Sequence, residues 1–180
     1  MKGFTRREPL FSLCGLKCGL CRMHLGGYCP GCGGGEGNQS CAIARCSLEH
    51  GGPEFCWDCP EYPCARYEGF DECDSFVPHS ARARDAAEAR SRGIEAYMAR
   101  MRESAALLEK LLGGYNDGRR KTLFSTAAYL LPPEDLRAVL ERLRAQAEGL
   151  ELKERAALAA RLLTEAAQAR GLSLKLVIKP

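Results

Sequence analysis

Cysteine is the residue type whose spacing carries chemistry. Eleven cysteines fall between Cys14 and Cys73 of a 180-residue chain, and none follows. Cys18–Cys21, Cys29–Cys32 and Cys56–Cys59 are C-x2-C pairs, and Cys41–Cys46 is a C-x4-C pair. Such spacings place two thiolates on one edge of a metal tetrahedron, and two pairs close a cage of four sulfurs. The run Cys29-Pro30-Gly31-Cys32-Gly33 has the composition of a zinc knuckle, with small residues that let backbone amides turn toward sulfur. An odd cysteine count and no apolar leader in "MKGFTRREPLFSLCG" point to thiols held by metal in a reducing, cytoplasmic compartment rather than to a disulfide framework.

Four pairs make two cages, in either of two ways. A sequential arrangement groups 18/21/29/32 and 41/46/56/59; a crossed one groups 18/21/41/46 and 29/32/56/59. The leading expectation is two structural zinc ions. A closed zinc–thiolate site contributes about 10–16 kcal/mol of apparent binding free energy to folding. The alternative is [4Fe–4S]. Cys14, Cys18 and Cys21 form a C-x3-C-x2-C triad and Cys56, Cys59 and Cys64 a C-x2-C-x4-C triad, loosely mirror-like, and each is able to hold a cluster. Cys73 falls outside every set. His24, His50 and His79 read as loop histidines.

Catalytic constellations are missing. There is no GxSxG, HExxH or phosphate-binding Walker loop. The Cys14–Cys18–Cys21 spacing occurs in radical enzymes, but such chemistry needs repeated strand–helix units that this chain does not offer. Enzymatic activity is therefore not expected. An interaction or structural role is expected, with an unknown protein partner. Nucleic-acid binding is a third reading. Arginines punctuate residues 80–112, and Arg119, Arg120 and Lys121 form a basic helix start suited to an anion or acidic partner. Interleaved acids mark that surface as a solvated, ion-paired one, so nucleic acid is not favoured. No run of 18 apolar residues exists, so no membrane span is expected.

The cysteine order resembles the Cys-rich bacterial and archaeal family known as domain of unknown function 3795. "CGLKCGLC", "CPGC", "CAIARCSLEHG" and "FCWDCPEYPC" carry the resemblance. Ten cysteines match its pattern: Cys14, Cys18, Cys21, Cys29, Cys32, Cys41, Cys46, Cys56, Cys59 and Cys64. The segment "GRRKTLFSTAAYLLPPEDL" looks like the extension of longer members. The resemblance implies metal binding, zinc first, and makes Cys14 and Cys64 candidate ligands.

These thiols must be positioned by a region with little core of its own. Residues 1–80 hold 13 of 19 glycines and 7 Lys/Arg against 10 Asp/Glu, whereas residues 81–180 carry 19 against 13. We expect a mainly α protein with a loop-dominated, Cys-rich module over 1–79 and a helical domain over 80–180. Four helices are expected: Ser80 to Leu112, stopped by Gly113 and Gly114; Arg119 to Leu131; a helix opened by Pro132–Pro133 with a Leu136, Val139, Leu140, Leu143 stripe; and Glu151 to Arg170. The tail "LSLKLVIK" alternates and predicts a short C-terminal strand, paired with Pro9–Leu13 or with a partner chain.

Overall fold

The computed structural model describes residues 2–35 and 41–178. It is mainly helical, with seven α-helices among the described residues: α1 Arg22–Leu25, α2 Ala42–Glu49, α3 Arg82–Arg92, α4 Ile94–Tyr115, α5 Lys121–Leu130, α6 Pro133–Gln146 and α7 Leu152–Ala169. The chain divides into two compact units, Met1–Ala99 with Val177–Pro180, and Arg100–Leu176.

The second unit follows its apolar periodicity. Leu136, Val139, Leu140 and Leu143 of α6 are buried, as are Ala159, Leu162 and Leu163 of α7, and α7 packs on both α5 and α6. Pro133 occupies the first turn of α6, where its missing N–H leaves no bond unmade. Glu151 and Glu154 form a reciprocal cap at the start of α7. Leu152, expected inward, is 42% exposed. The helix expected over Ser80 to Leu112 is broken into α3 and α4 at Gly93, which takes φ +84°, a conformation L-residues avoid. Conversely, α4 runs through Gly113 and Gly114 to Tyr115.

The first unit joins a turn-rich region holding the short α1 and α2 to α3 and the start of α4. Its apolar centre is Phe11 and Leu13, both nearly inaccessible. Phe11 meets Tyr97 at 5.0 Å and Phe55 at 6.1 Å between ring centroids, and Phe55 stacks on Trp57 at 4.3 Å. Because this core is small, backbone pairing takes over its ordering role. Pro9–Leu13 was expected to pair with the C-terminal tail. Instead it is the backbone hub of the cysteine loops: Cys32 N–H donates to Pro9 O (2.8 Å), Gly19 N–H to Leu10 O (2.8 Å) and Cys56 N–H to Leu13 O (2.9 Å). Among the described residues no strand forms; Lys179 of the expected strand lies outside them. Val177 closes on Asp74, donating its N–H to Oδ2 (2.8 Å) and accepting the Asp74 N–H (2.6 Å). A period-two pattern sets which side chains share a face, but a strand also needs a facing backbone ladder.

Candidate metal centre

Two of the three C-x2-C pairs, Cys18–Cys21 and Cys56–Cys59, are shaped by 3-10 turns. Residues three apart eclipse in a 3-10 turn, so a turn over C-x2-C sets both thiols on one side. Cys21 N–H donates to Cys18 O and Cys59 N–H to Cys56 O, each at 3.0 Å. Asp58 fastens the second turn by accepting the Phe55 N–H at 3.1 Å. A further 3-10 turn, Ala65–Tyr67, follows Cys64 and carries Tyr67 back toward Cys56.

Cys46 on α2, Cys56, Cys59 and Cys64 line one cavity of about 30 Å³, together with Tyr62, Tyr67 and His50. This grouping differs from both arrangements expected from pairwise spacing: Cys64 stands where the sequential one placed Cys41, and the crossed one put Cys46 in a different cage from Cys56 and Cys59. The Cys56 thiol is pushed up to about 11, chiefly by burial and then by the neighbouring Cys64 and Cys46, against a lowering contact from Tyr67. The Tyr67 hydroxyl is buried and makes no hydrogen bond of ordinary geometry; the group beside it is the Cys56 thiol. A buried hydroxyl of this kind is satisfied by a thiolate, a stronger acceptor than a neutral thiol. His50 stands at the rim, its Nδ1 2.8 Å from Cys46 O and its Nε2 3.3 Å from Glu61. Cys46, Glu49 and His50 bring their ligand atoms within 4.8 Å of one another on one face of α2.

The second group forms around Cys18. Its thiol is raised by burial first, then by Cys32, Cys14, Cys21 and Cys29 in that order. Cys14 is buried and pushed up to about 12 by desolvation, with Cys32 and Cys41 adding to the rise and Ser12 opposing it. Ser12 Oγ is 3.1 Å from Cys14 Sγ and accepts the Leu16 N–H at 2.7 Å. Cys32 is raised by burial, while the Arg6 guanidinium lowers it. Arg6 is an unforeseen member of the site. Its side chain is 2% exposed, lies 5.0 Å over the Phe55 ring, and donates to Glu54 O and Phe11 O, both at 2.9 Å. A buried cation among thiols offsets the charge they take on when they bind metal.

The knuckle is set by glycine. Gly31 has φ +96°, and a Cβ there would meet Pro9 O at 2.5 Å; only a residue without Cβ lets the loop reach Pro9. Cys14, Cys32, Cys56 and Tyr67 all pack against one cluster of Phe4, Leu13, Ile43 and Ala44.

Other expected residues take plainer places. Cys29 neighbours Cys18 and Cys41 neighbours Cys14 in the group around Cys18, and Cys73 is not among the residues lining the cavity. His24 Nδ1 contacts Cys29 O at 3.0 Å. His79 is buried, held by Phe70 O and Ser75, rather than lying in a loose polar loop. Arg120 pairs with Asp117, and Arg119 N–H donates to the same carboxylate at 3.1 Å; that carboxyl is held below its ordinary value by the Arg119 amide first. Arg119 and Lys121 flank this pair at the start of α5.

All eleven cysteines are free of disulfides. Among the described residues, no three cysteine sulfurs lie within 4.8 Å of one another. Four sulfurs on one zinc ion, each at about 2.3 Å, stand only about 3.8 Å apart and leave no void between them. Sulfurs on a [4Fe–4S] cluster spread wider, because each binds its own iron. No family model, curated protein or solved structure matches the chain. No helix among the described residues is long and apolar enough to cross a membrane.

Proposed function

We propose that the chain is a metal–thiolate protein with two cysteine centres, each a triad completed by one remote cysteine, and that both hold [4Fe–4S] clusters for electron transfer or redox sensing. Cys14, Cys18 and Cys21 with Cys32 form the first; Cys56, Cys59 and Cys64 with Cys46 form the second. The observation that carries this reading is the cavity of the second centre: four cysteines line it, yet no three cysteine sulfurs among the described residues lie within 4.8 Å of one another, a looser spacing than the roughly 3.8 Å that one zinc ion imposes. Such clusters supply reversible one-electron transfer when bound. The protein's own contribution is to fix four thiols by 3-10 turns, exclude water with Phe4, Leu13 and Ile43, and set Tyr67 and Arg6 beside the sulfurs. Cys29 and Cys41 stand ready to replace a ligand at the first centre.

The second reading is two structural zinc ions on the same cysteines, favoured by the Cys29–Cys32 knuckle. Anaerobic purification with metal and sulfide analysis separates the two. About eight iron and eight sulfide per chain, with broad visible absorbance, is the expected result. Colourless protein with two zinc ions and no sulfide would overturn it in favour of the structural role.

A further inference from the structure

Tyr62 borders two spaces. One is the four-cysteine cavity; the other is a groove of about 410 Å³ along α3, a volume within the range of small-molecule sites. Ala83, Ala87 and Arg90 recur at helical spacing and present one face of α3 to the groove, opposite Trp57 and Tyr62. The alanines leave the space open, and both rings are held by neighbours. Trp57 is stacked on Phe55 with 12° between planes, and Tyr62 meets Tyr67 edge-on at 5.5 Å. Rings fixed in this way offer stacking surface with little ordering penalty on binding.

Charge singles out one end. Arg82, Arg84 and Arg92 of α3 pair with Asp71, Asp85 and Glu88 at 2.7, 3.3 and 2.9 Å. Arg90 makes no ion pair or hydrogen bond among the described residues, and it is the arginine that lines the groove. An unpaired guanidinium beside two aromatic rings matches a ligand with a flat ring and an anionic group.

We propose that this groove binds a planar aromatic anion of mononucleotide size, its ring against Trp57 and Tyr62 and its charged group on Arg90. The site does not depend on which metal the cysteine cavity holds, although Tyr62 lines both spaces.

Trp57 is the single tryptophan of the chain, so its emission reports the groove directly. The metal-loaded full-length protein is titrated with adenosine 5′-monophosphate and with flavin mononucleotide, the latter followed by its own emission, with calorimetry as a second readout. Saturable binding is expected for at least one of them. It should weaken at least tenfold in Arg90→Ala and for the matching nucleoside without phosphate. Ala87→Leu, which fills the groove, should abolish it, with metal content unchanged in both variants. Absence of saturable binding for both probes, or equal affinity in Arg90→Ala and the parent, would overturn the proposal.

Discussion

Lys17 Nζ lies 3.0 Å from Asp85 Oδ2, and both side chains are almost wholly buried. Lys17 belongs to the first cysteine block and Asp85 to α3, so one ion pair fastens the cysteine turn to a helix. Burial lowers the Lys17 pKa and Asp85 opposes that fall; Tyr97 also reaches Asp85. Removing one partner strands the other in a dry site. Asp85→Asn should therefore destabilise the first unit by about 3–5 kcal/mol, whereas the apolar double variant Lys17→Met with Asp85→Leu should lose far less. Urea unfolding of the three proteins decides this, and equal losses would refute it.

Tyr67→Phe removes a buried hydroxyl without changing ring packing, so the T-shaped contacts with Tyr62 and Phe70 and the Arg82 guanidinium 4.2 Å over the ring persist. Only the contact with the Cys56 sulfur is lost. Once Cys56 binds metal as a thiolate, the hydroxyl beside it becomes a supporting donor, and loss of such a partner typically weakens a metal site 10–100-fold. We expect the variant to fold, load metal and release it to a chelator at least tenfold faster. Unchanged release would show that the hydroxyl does not serve the centre.

Gly31 and Gly27 both have positive φ, but differ in surroundings. A Cβ at Gly27 meets nothing within 4 Å, while one at Gly31 meets Pro9 backbone at 2.5 Å. Gly27→Ala should show only the backbone penalty of roughly 1–2 kcal/mol. Gly31→Ala must in addition push the knuckle off Pro9 and withdraw Cys32. Metal analysis should find the first centre lost and the second retained, about half the parent metal content. Full loading of Gly31→Ala would remove Cys32 from the site.

The helices of the second unit were legible because each carries a stripe and a punctuating residue: Pro133 opens α6, Gly171 follows α7, and Leu136 to Leu143 keep one face. Gly113 and Gly114 misled. Each weakens a helix by about 1 kcal/mol, and the buried Leu107, Leu108 and Leu111 beside them outweigh that. Helix α2 escaped because eight residues give barely two turns of pattern, here Ile43, Ala44 and Ser47. The cysteine identities were legible from spacing, but their grouping was not. Cys64 lines one cavity with Cys46, Cys56 and Cys59, a grouping that pairwise spacing does not encode. Arg6 and Tyr67 carried no spacing signal at all; an N-terminal arginine reads as solvated until the fold buries it.

Glu134 shows the sign of one acid limb. The fork of Arg100 (2.9 and 3.1 Å) holds its carboxyl down to about 2 from an ordinary 4.5. A depressed folded value means that the pair stabilises fully above pH 4.5 and that this is lost as pH falls toward 2. The side chains are largely exposed, so solvent and salt screen the effect. Glu134→Gln should flatten the fall in thermal midpoint between pH 4.5 and 2, and 1 M salt should do the same to the parent. A parent and variant with parallel pH profiles would contradict the assignment.

Metal removal should dismantle one unit and spare the other. The first unit buries few large apolar side chains for its length, chiefly Phe4, Phe11, Leu13, Leu20, Ile43, Phe55 and Val77. Its loops are ordered by glycine-rich turns whose chain entropy that core does not offset. The second unit buries Leu108, Leu111, Phe124, Leu136, Leu143, Leu162 and Leu163, with no cysteine among its residues. Chelation under reducing conditions should therefore open residues before about Ala99 to protease. A resistant helical fragment from near Arg100 to Leu176 should survive, with α-helical dichroism largely kept. Mass spectrometry of the limit digest reads the boundary. If the whole chain is cleaved in step with metal loss, the second core does not stand alone, and the metal centres support both units.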